Sequence, residues 1–162
     1  MNLTSKQKVT SVFNNRWKLA LFFARHLPMA FLAGLNIISF DKNHATVSIP
    51  YKYLTKNPFR SIYFACQSMA AELSTAIICL QSLEKFDADL SLLVIKLEAE
   101  FTKKANDTIS FTCLNEENLD EIFKECITEN TSQSLTLKST GIDQNGDSVA
   151  EFNITWSFKP RS

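Results

Sequence analysis

The sequence predicts an α+β domain in which a curved antiparallel β-sheet wraps around one long, buried helix. Residues 59–83 contain neither Gly nor Pro and are apolar around most of the helical circumference, which is typical of a buried helix. Much of the chain after this segment alternates apolar and polar residues, the pattern of half-buried strands. One apolar helix followed by several such strands is buried best when the sheet folds around the helix.

An N-terminal helix is predicted over residues 5–26. Apolar side chains recur there at helical spacing, with Lys and Arg between them, and Pro28 should stop or restart the helix. The chain contains no repeats, low-complexity segments or linkers, so residues 1–162 are expected to form a single domain. Within it we expect a helical extension over residues 1–28 and a sheet-and-helix core over residues 34–160.

A β-hairpin is predicted between this extension and the long helix. Residues 35–40 are mostly apolar, residues 45–49 alternate, and the turn formers of 41–43 separate the two segments. Pro50 and Pro58 then bracket a polar and aromatic loop. This loop should deliver the chain to the start of the long helix.

The long helix should extend from residue 59 to residue 83, which is about six turns. Polar side chains interrupt its apolar surface, so a soluble core helix is expected rather than a membrane span. Residues spaced by seven on the helix should mark either a solvated edge or an edge that faces a strand. The interrupting residues are Arg60, Gln67, Glu72 and Gln81, and the residues spaced by seven are Gln67, Ser74 and Gln81.

The second half of the chain predicts about four strands and one short inserted helix. The inserted segment follows the helical i, i+3, i+4 rule, and an Asn-Gly pair near the C-terminus predicts a hairpin turn. The strands are expected around residues 93–101, 109–113, 135–137 and 151–158, the helix around 119–127 and the turn at 145–146.

Charge and composition exclude several kinds of function. Seventeen Lys and Arg balance seventeen Asp and Glu, so no net field favours nucleic acid, an anionic membrane or an acidic partner. The three glycines amount to about 2% of the chain against a usual 7% or so, which excludes a Gly-rich phosphate loop. The two histidines, His26 and His44, are far apart in the sequence, so no metal site is expected.

Cysteine spacing and apolar run lengths predict the compartment. The four cysteines show no C-x-x-C spacing and three lie in apolar periodic segments, so they should be buried thiols. No segment has the features of a secretory signal, and none reaches the 18 apolar residues of a membrane span. We therefore expect a cytoplasmic protein.

The predicted order of elements is the hotdog layout, and residues 57–72 resemble the active-site segment of hotdog-fold acyl-CoA thioesterases. In that superfamily an Asn before the central helix is followed by His-Gly-Gly at the helix start and by an acidic residue two turns further. Here Asn57 and Glu72 are fifteen residues apart, and Tyr63-Phe64-Ala65 stands in place of His-Gly-Gly. The segment is therefore similar to a thioesterase-like branch of the superfamily that lacks this motif.

The resemblance implies hydrolysis of acyl-CoA or acyl-carrier-protein thioesters at a dimer interface. Coenzyme A or phosphopantetheine would enter as part of the substrate, and no separate cofactor is implied. Hotdog domains pair by joining their sheets, so a homodimer or a dimer of dimers is expected, with each site using both chains.

The residues themselves suggest how such a site would work. Glu72 lies among apolar neighbours, and burial should raise the pKa of its carboxyl, which suits a general base or nucleophile. The first turn of the helix offers backbone N–H groups, so the N–H of Phe64 is the candidate oxyanion donor and Asn57 the candidate orienting group. Ser61, Ser68, Glu72 and Thr75 should form a polar stripe within about 60° on the helix.

Substrate contacts are predicted at both ends of the bound molecule. Tyr63, Ser61 and Ser68 are the candidates beside the thioester. Arg60 and the pair Lys103 and Lys104 are the candidates for the phosphates of coenzyme A.

Each assignment has a purely structural alternative. Glu72 could hydrogen-bond Ser68, Thr75 or a neighbouring chain, and Asn57 before Pro58 could be an ordinary turn or N-cap residue. Ser61 could cap the helix, Tyr63 could simply pack at its start, and Lys103 and Lys104 could belong to an exposed turn. Without His-Gly-Gly, a non-catalytic acyl-binding or lipid-binding protein is the main alternative function. A hydratase or dehydratase ranks last, because those enzymes use a His beside the helix, and neither His26, which should end the first helix, nor His44, in the hairpin, is expected there.

Overall fold

The computed structural model describes residues 12–13, 15–86, 88–116 and 118–161. Its helices and strands follow the predicted order, with one additional short helix near the N-terminus, and most of the strands come after the long helix. In chain order they are α1 (Arg16–His26), α2 (Pro28–Ala33), β1 (Asn36–Phe40), β2 (His44–Ile49), α3 (Phe64–Leu83), β3 (Leu90–Phe101), β4 (Ile109–Leu114), α4 (Leu119–Glu129), β5 (Gln133–Ile142) and β6 (Ser148–Pro160).

The strands form one six-stranded antiparallel sheet in the order β1-β2-β4-β5-β6-β3. Helix α3 packs against β2, β4, β5 and β6, so four neighbouring strands share one helix as their core partner. Register shifts in β1, β3 and β5 bend strands of this sheet. The predicted α+β hotdog fold is confirmed.

From Arg16 to Ala33 the chain forms the two helices α1 and α2, because a new helix begins at Pro28 where the first has ended. Asn15 caps α1, its side-chain oxygen accepting hydrogen bonds from the backbone N–H groups of Trp17 and Lys18. Helix α2 begins at Pro28 and ends at Gly34, whose φ of 77° is left-handed and favours glycine. The part of the predicted helix over residues 5–11 lies outside the described residues.

The long helix begins five residues later than predicted. The oxygen of the Asn57 side chain accepts hydrogen bonds from the backbone N–H groups of Phe59 and Ser61, and Arg60 has a left-handed φ of 59°. Ile62 then bridges to Lys56 in antiparallel fashion. These contacts hold residues 57–62 as a tight loop, which propensity alone does not reveal.

Ser74 and Thr75 of α3 form hydrogen bonds with side chains of the sheet. The Ser74 hydroxyl lies 2.8 Å from the Ser139 hydroxyl of β5, and both side chains are buried. The Thr75 hydroxyl accepts a hydrogen bond of 3.0 Å from the indole N–H of Trp156. Gln67 is also buried: its NH₂ group donates to the carbonyl of Ile62, whereas its carboxamide oxygen has no hydrogen-bond partner among the described residues. At Gln67 and Ser74 the residues spaced by seven therefore face the protein interior.

The four cysteines are buried free thiols, as the sequence predicted. Within the described ranges, no helix is long and apolar enough to cross a membrane.

Candidate active site

Glu72 borders a cavity of about 230 Å³ between α3 and the N-terminal helices. Met69 and Leu73 line the cavity from α3, one turn before Glu72 and directly after it. The remaining lining residues come from the junction of α1 and α2 and from the start of the core: His26, Leu27, Pro28, Met29, Ala30 and Leu35. A carboxyl group therefore lies against a mostly apolar space.

Burial raises the pKa of the Glu72 carboxyl from 4.5 to about 7, because the apolar surroundings disfavour the charged form. The side chain nevertheless remains partly exposed at the cavity. The shift has the direction predicted from its neighbours in the sequence. A carboxyl group with this pKa is divided between its acid and base forms near neutral pH, as a general base requires.

The neighbouring hydroxyl groups are directed away from the Glu72 carboxyl. Ser68 donates its hydroxyl hydrogen to the carbonyl of Phe64, one turn earlier. Thr75 donates to the backbone carbonyl of Glu72, not to its side chain, and accepts from Trp156. Ser61 lies before α3, so the prediction that it belongs to the polar stripe on the helix was wrong. Within one chain, neither Ser68 nor Thr75 therefore hydrogen-bonds the Glu72 carboxyl, contrary to one of the structural alternatives.

The first turn of α3 presents the candidate oxyanion donor. The Tyr63 N–H donates to the carbonyl of Thr55 at 2.7 Å, so it is engaged in the preceding loop. Phe64 is the first residue of the helix, where backbone N–H groups have no carbonyl of the same helix to bind. The rings of Tyr63 and Phe64 pack edge to face at 4.8 Å, and both are exposed. Aromatic surface thus surrounds the helix start.

Phe64 and Glu72 are far apart within one chain. They are separated by eight residues of helix, which corresponds to about 12 Å along the axis at a rise of about 1.5 Å per residue. A thioester carbonyl bound by the Phe64 N–H is thus beyond hydrogen-bond reach of the Glu72 carboxyl of the same helix.

Asn57 organises its own loop. Its carboxamide oxygen accepts from the N–H groups of Phe59 and Ser61, and its NH₂ group lies 3.0 Å from the Ser61 hydroxyl. Ser61 is correspondingly bound to Asn57 and lies outside the helix. Asn57 thus stabilises the turn that precedes α3, as the structural alternative for this residue predicts.

The candidate phosphate contacts differ in availability. The Lys103 ammonium lies 2.5 Å from the carboxylate of Asp143 and 2.6 Å from that of Asp147, so it ties the β5–β6 turn to the end of β3. These bonds raise the pKa of Lys103 and lower that of Asp143. Arg60 and Lys104 are exposed. Of the three predicted cations, Lys103 is thus already neutralised.

His26 is the site residue that sequence reasoning missed. It ends α1 as predicted and contacts the ring of Phe22, with ring centres 5.0 Å apart. It also lines the cavity beside Glu72, so the expectation that neither His lies near the long helix was wrong for His26. The one sequence signal for this position was Pro28, which predicted a break after α1; at this break the end of α1 lies beside the cavity of α3.

Comparison with known proteins supports the fold. The profile of DUF4442, a domain of unknown function, matches residues 15–158. No protein in a search of curated sequences matches.

Several solved structures are similar over nearly their whole length. A probable thioesterase of Pseudomonas aeruginosa has a TM-score of 0.74 at 17% identity, with 91% of this chain and 97% of that chain covered. A thioesterase of Haemophilus influenzae gives 0.68 at 11% identity, covering 90% and 91%. The PaaI protein from the phenylacetic acid degradation operon of E. coli gives 0.64 at 16% identity, covering 93% and 96%. At these identities the likeness establishes the shared hotdog fold.

Proposed function

This chain belongs to the DUF4442 family, and from that premise we propose that it hydrolyses acyl thioesters with Glu72 as general base. One observation carries the proposal: a carboxyl group with a pKa of about 7 borders an apolar cavity next to the central helix. Structures with this fold include a thioesterase and a probable thioesterase, which favours this reaction over others. The acyl chain occupies the cavity, and the pantetheine arm leaves it towards solvent.

The reaction requires only water and one proton acceptor. The Glu72 carboxylate removes a proton from water while the water oxygen bonds to the thioester carbonyl carbon. The carbonyl oxygen becomes negative and is stabilised by the N–H of Phe64. The carbon–sulfur bond then breaks, the sulfur takes a proton from Glu72, and a carboxylic acid and a free thiol are released.

The distance between Phe64 and Glu72 supports a shared site. About 12 Å of helix separates them within one chain, so in this proposal the oxyanion donor of one protomer and the carboxylate of the other meet at a dimer interface. Strand β3 is at the edge of the sheet, and its side chains Leu93, Ile95 and Leu97 are exposed. An edge strand of twelve residues with these exposed apolar side chains is a template for pairing with a second copy.

The dimer is tested by Ile95→Lys, which puts a charge on this edge. We expect analytical ultracentrifugation to find a dimer for the wild type and a monomer for Ile95→Lys, with loss of hydrolysis in the monomer. Leu114→Lys changes a similarly exposed side chain on β4 and is the matched control. A wild-type monomer that is fully active would refute the shared site.

Hydrolysis is tested by the release of free thiol from a panel of acyl-CoA substrates of different chain length. Glu72→Gln keeps the shape of the side chain and removes the base, so we expect a decrease of at least about a hundredfold, the range of a lost general base. Glu125→Gln, which alters an exposed carboxylate on α4, should retain full activity. No turnover by a folded wild-type dimer on any chain length would count against the proposal.

A non-catalytic acyl-binding protein is the second candidate. The exposed ring of Phe64 at the helix start favours it, since Phe64 stands in place of a glycine of the His-Gly-Gly motif, a small residue that lets a carbonyl approach. A fatty acyl ligand that co-purifies with the protein, without thiol release, would support this candidate. The panel should also include an enoyl-CoA, assayed for addition of water to its double bond, because His26 beside the cavity makes hydration a distinct outcome.

A further inference from the structure

The net charge of zero conceals a strong asymmetry along the chain. Residues 1–40 contain five of the seventeen Lys and Arg residues and none of the seventeen Asp and Glu residues. This segment therefore has a charge of +5 and the rest of the chain −5. The overall balance, from which no attraction to anionic membranes was predicted, does not describe the N-terminal segment.

The same segment exposes large apolar side chains. On α1, Trp17 is 87% exposed and Leu21 is 70% exposed. At 100° per residue these two and Ala24 lie within about 60° of one another on the helix surface, and the exposed cations Lys18 and Arg25 border them. Apolar residues of α2 are exposed as well: Met29, Phe31 and Leu32.

The opposite face of α1 is fixed to the protein. Leu19 and Phe23 are buried, and Phe13 and Phe22 pack edge to face at 6.2 Å. The exposed stripe is therefore held outward by packing. A helix with such a stripe, Trp and Leu at its centre and only cations beside it, is typical of proteins that lie in the interface of a membrane.

We propose that α1 and α2 dock this protein onto the surface of an anionic lipid bilayer, with Trp17 and Leu21 in the interfacial layer and Lys18 and Arg25 on the lipid headgroups. The absence of acidic residues from 1–40 is the charge complementarity that selects this occupant. A second copy of this chain docked through the same face would place Lys18 and Arg25 against the same cations of its partner, which costs energy instead of gaining it.

Docking also has a consequence for substrate access. Residues 26–30 line the cavity beside Glu72 and belong to the same segment. A docked protein thus has the wall of its proposed acyl site close to the bilayer. The docking itself does not depend on hydrolysis, and it is measured without any turnover.

Sedimentation of the full chain with lipid vesicles tests the proposal. We expect binding to vesicles that contain phosphatidylglycerol, much weaker binding to phosphatidylcholine alone, and loss of binding at high salt. Lys18→Gln and Arg25→Gln should each weaken binding to the anionic vesicles about fivefold, the equivalent of about 1 kcal/mol per cation. Fluorescence of Trp17 should shift to the blue on binding, since Trp156 is already buried.

The apolar part is tested by Trp17→Ser combined with Leu21→Ser, which should abolish sedimentation with vesicles. Leu114→Ser, an exposed apolar residue on β4, is the control and should bind like the wild type. Equal binding by the double variant, or no binding of the wild type to anionic vesicles, overturns the proposal. So does dissociation of a dimer by the double variant, which would assign the stripe to an interface between copies.

Discussion

Replacing Glu72 by Gln should stabilise the protein, and increasingly so as the pH rises. The pKa of this carboxyl is about 7 in the folded protein and about 4.5 when unfolded. The folded state therefore holds its proton more tightly, and wild-type stability falls as the pH rises through this window. Below about pH 4.5 the carboxyl is protonated in both states and costs nothing.

The magnitude follows from the size of the pKa difference. Each unit corresponds to about 1.4 kcal/mol, so the wild type loses up to about 3 kcal/mol by pH 8 and about half of that by pH 5.5. The partial exposure of Glu72 makes this an upper bound. A glutamine side chain at this position is neutral at every pH, so Glu72→Gln escapes the loss.

Urea denaturation of both proteins at pH 4, 5.5 and 8 measures this difference. The free energies of unfolding should be similar at pH 4 and diverge in favour of Glu72→Gln towards pH 8. Glu125→Gln controls for the removal of one negative charge. A constant difference between wild type and Glu72→Gln across this range would show that the carboxyl is solvated, and the argument for a general base would fail.

Three buried contacts give further predictions. Ser74→Ala leaves the buried Ser139 hydroxyl unpaired and should lower the free energy of unfolding, measured by thermal unfolding, by about 1–3 kcal/mol. The double variant with Ala at both positions should lose no more than the single one, and additive losses would contradict the pairing. In Gly141→Ala the new Cβ would lie 2.5 Å from the buried Phe111 ring, so we expect the free energy of unfolding to fall by about 1–3 kcal/mol. Adding Phe111→Leu should relieve this loss, and an unchanged stability of Gly141→Ala would mean that the ring moves away freely. Thr75→Val removes the acceptor of a buried tryptophan N–H and should cost about 1–3 kcal/mol, while Thr75→Ser should retain most of the stability; equal losses would rule out the hydrogen bond as the cause.

The order of elements could be predicted because each rests on a local periodicity. The apolar circumference of α3 and the alternation in β6 are properties of neighbouring residues, and both were found where expected. The start of α3 was missed because Asn57 binds its own loop and Arg60 adopts a left-handed backbone. Such side-chain contacts override helix propensity over a few residues.

The candidate site could be predicted only in part. The raised pKa of Glu72 could be predicted, because its neighbours in the sequence are apolar and the helix that carries them is buried. The cavity wall at His26 depends on how α1 and α2 pack against α3, and a break at Pro28 indicates a change of direction there without giving the packing. Likewise Lys103 meets Asp143, forty residues away, only once the strands have paired.

The pH dependence of kcat/KM on the best acyl-CoA substrate tests the role of Glu72 most directly. If this carboxyl is the base in the free protein, the rate should rise with pH along a single ionisation with a midpoint near 7 and then level off. Glu72→Gln should lack both this rise and the activity. A wild-type rate that is independent of pH between 5 and 8, or a Glu72→Gln variant that shows the same rise, would contradict the account.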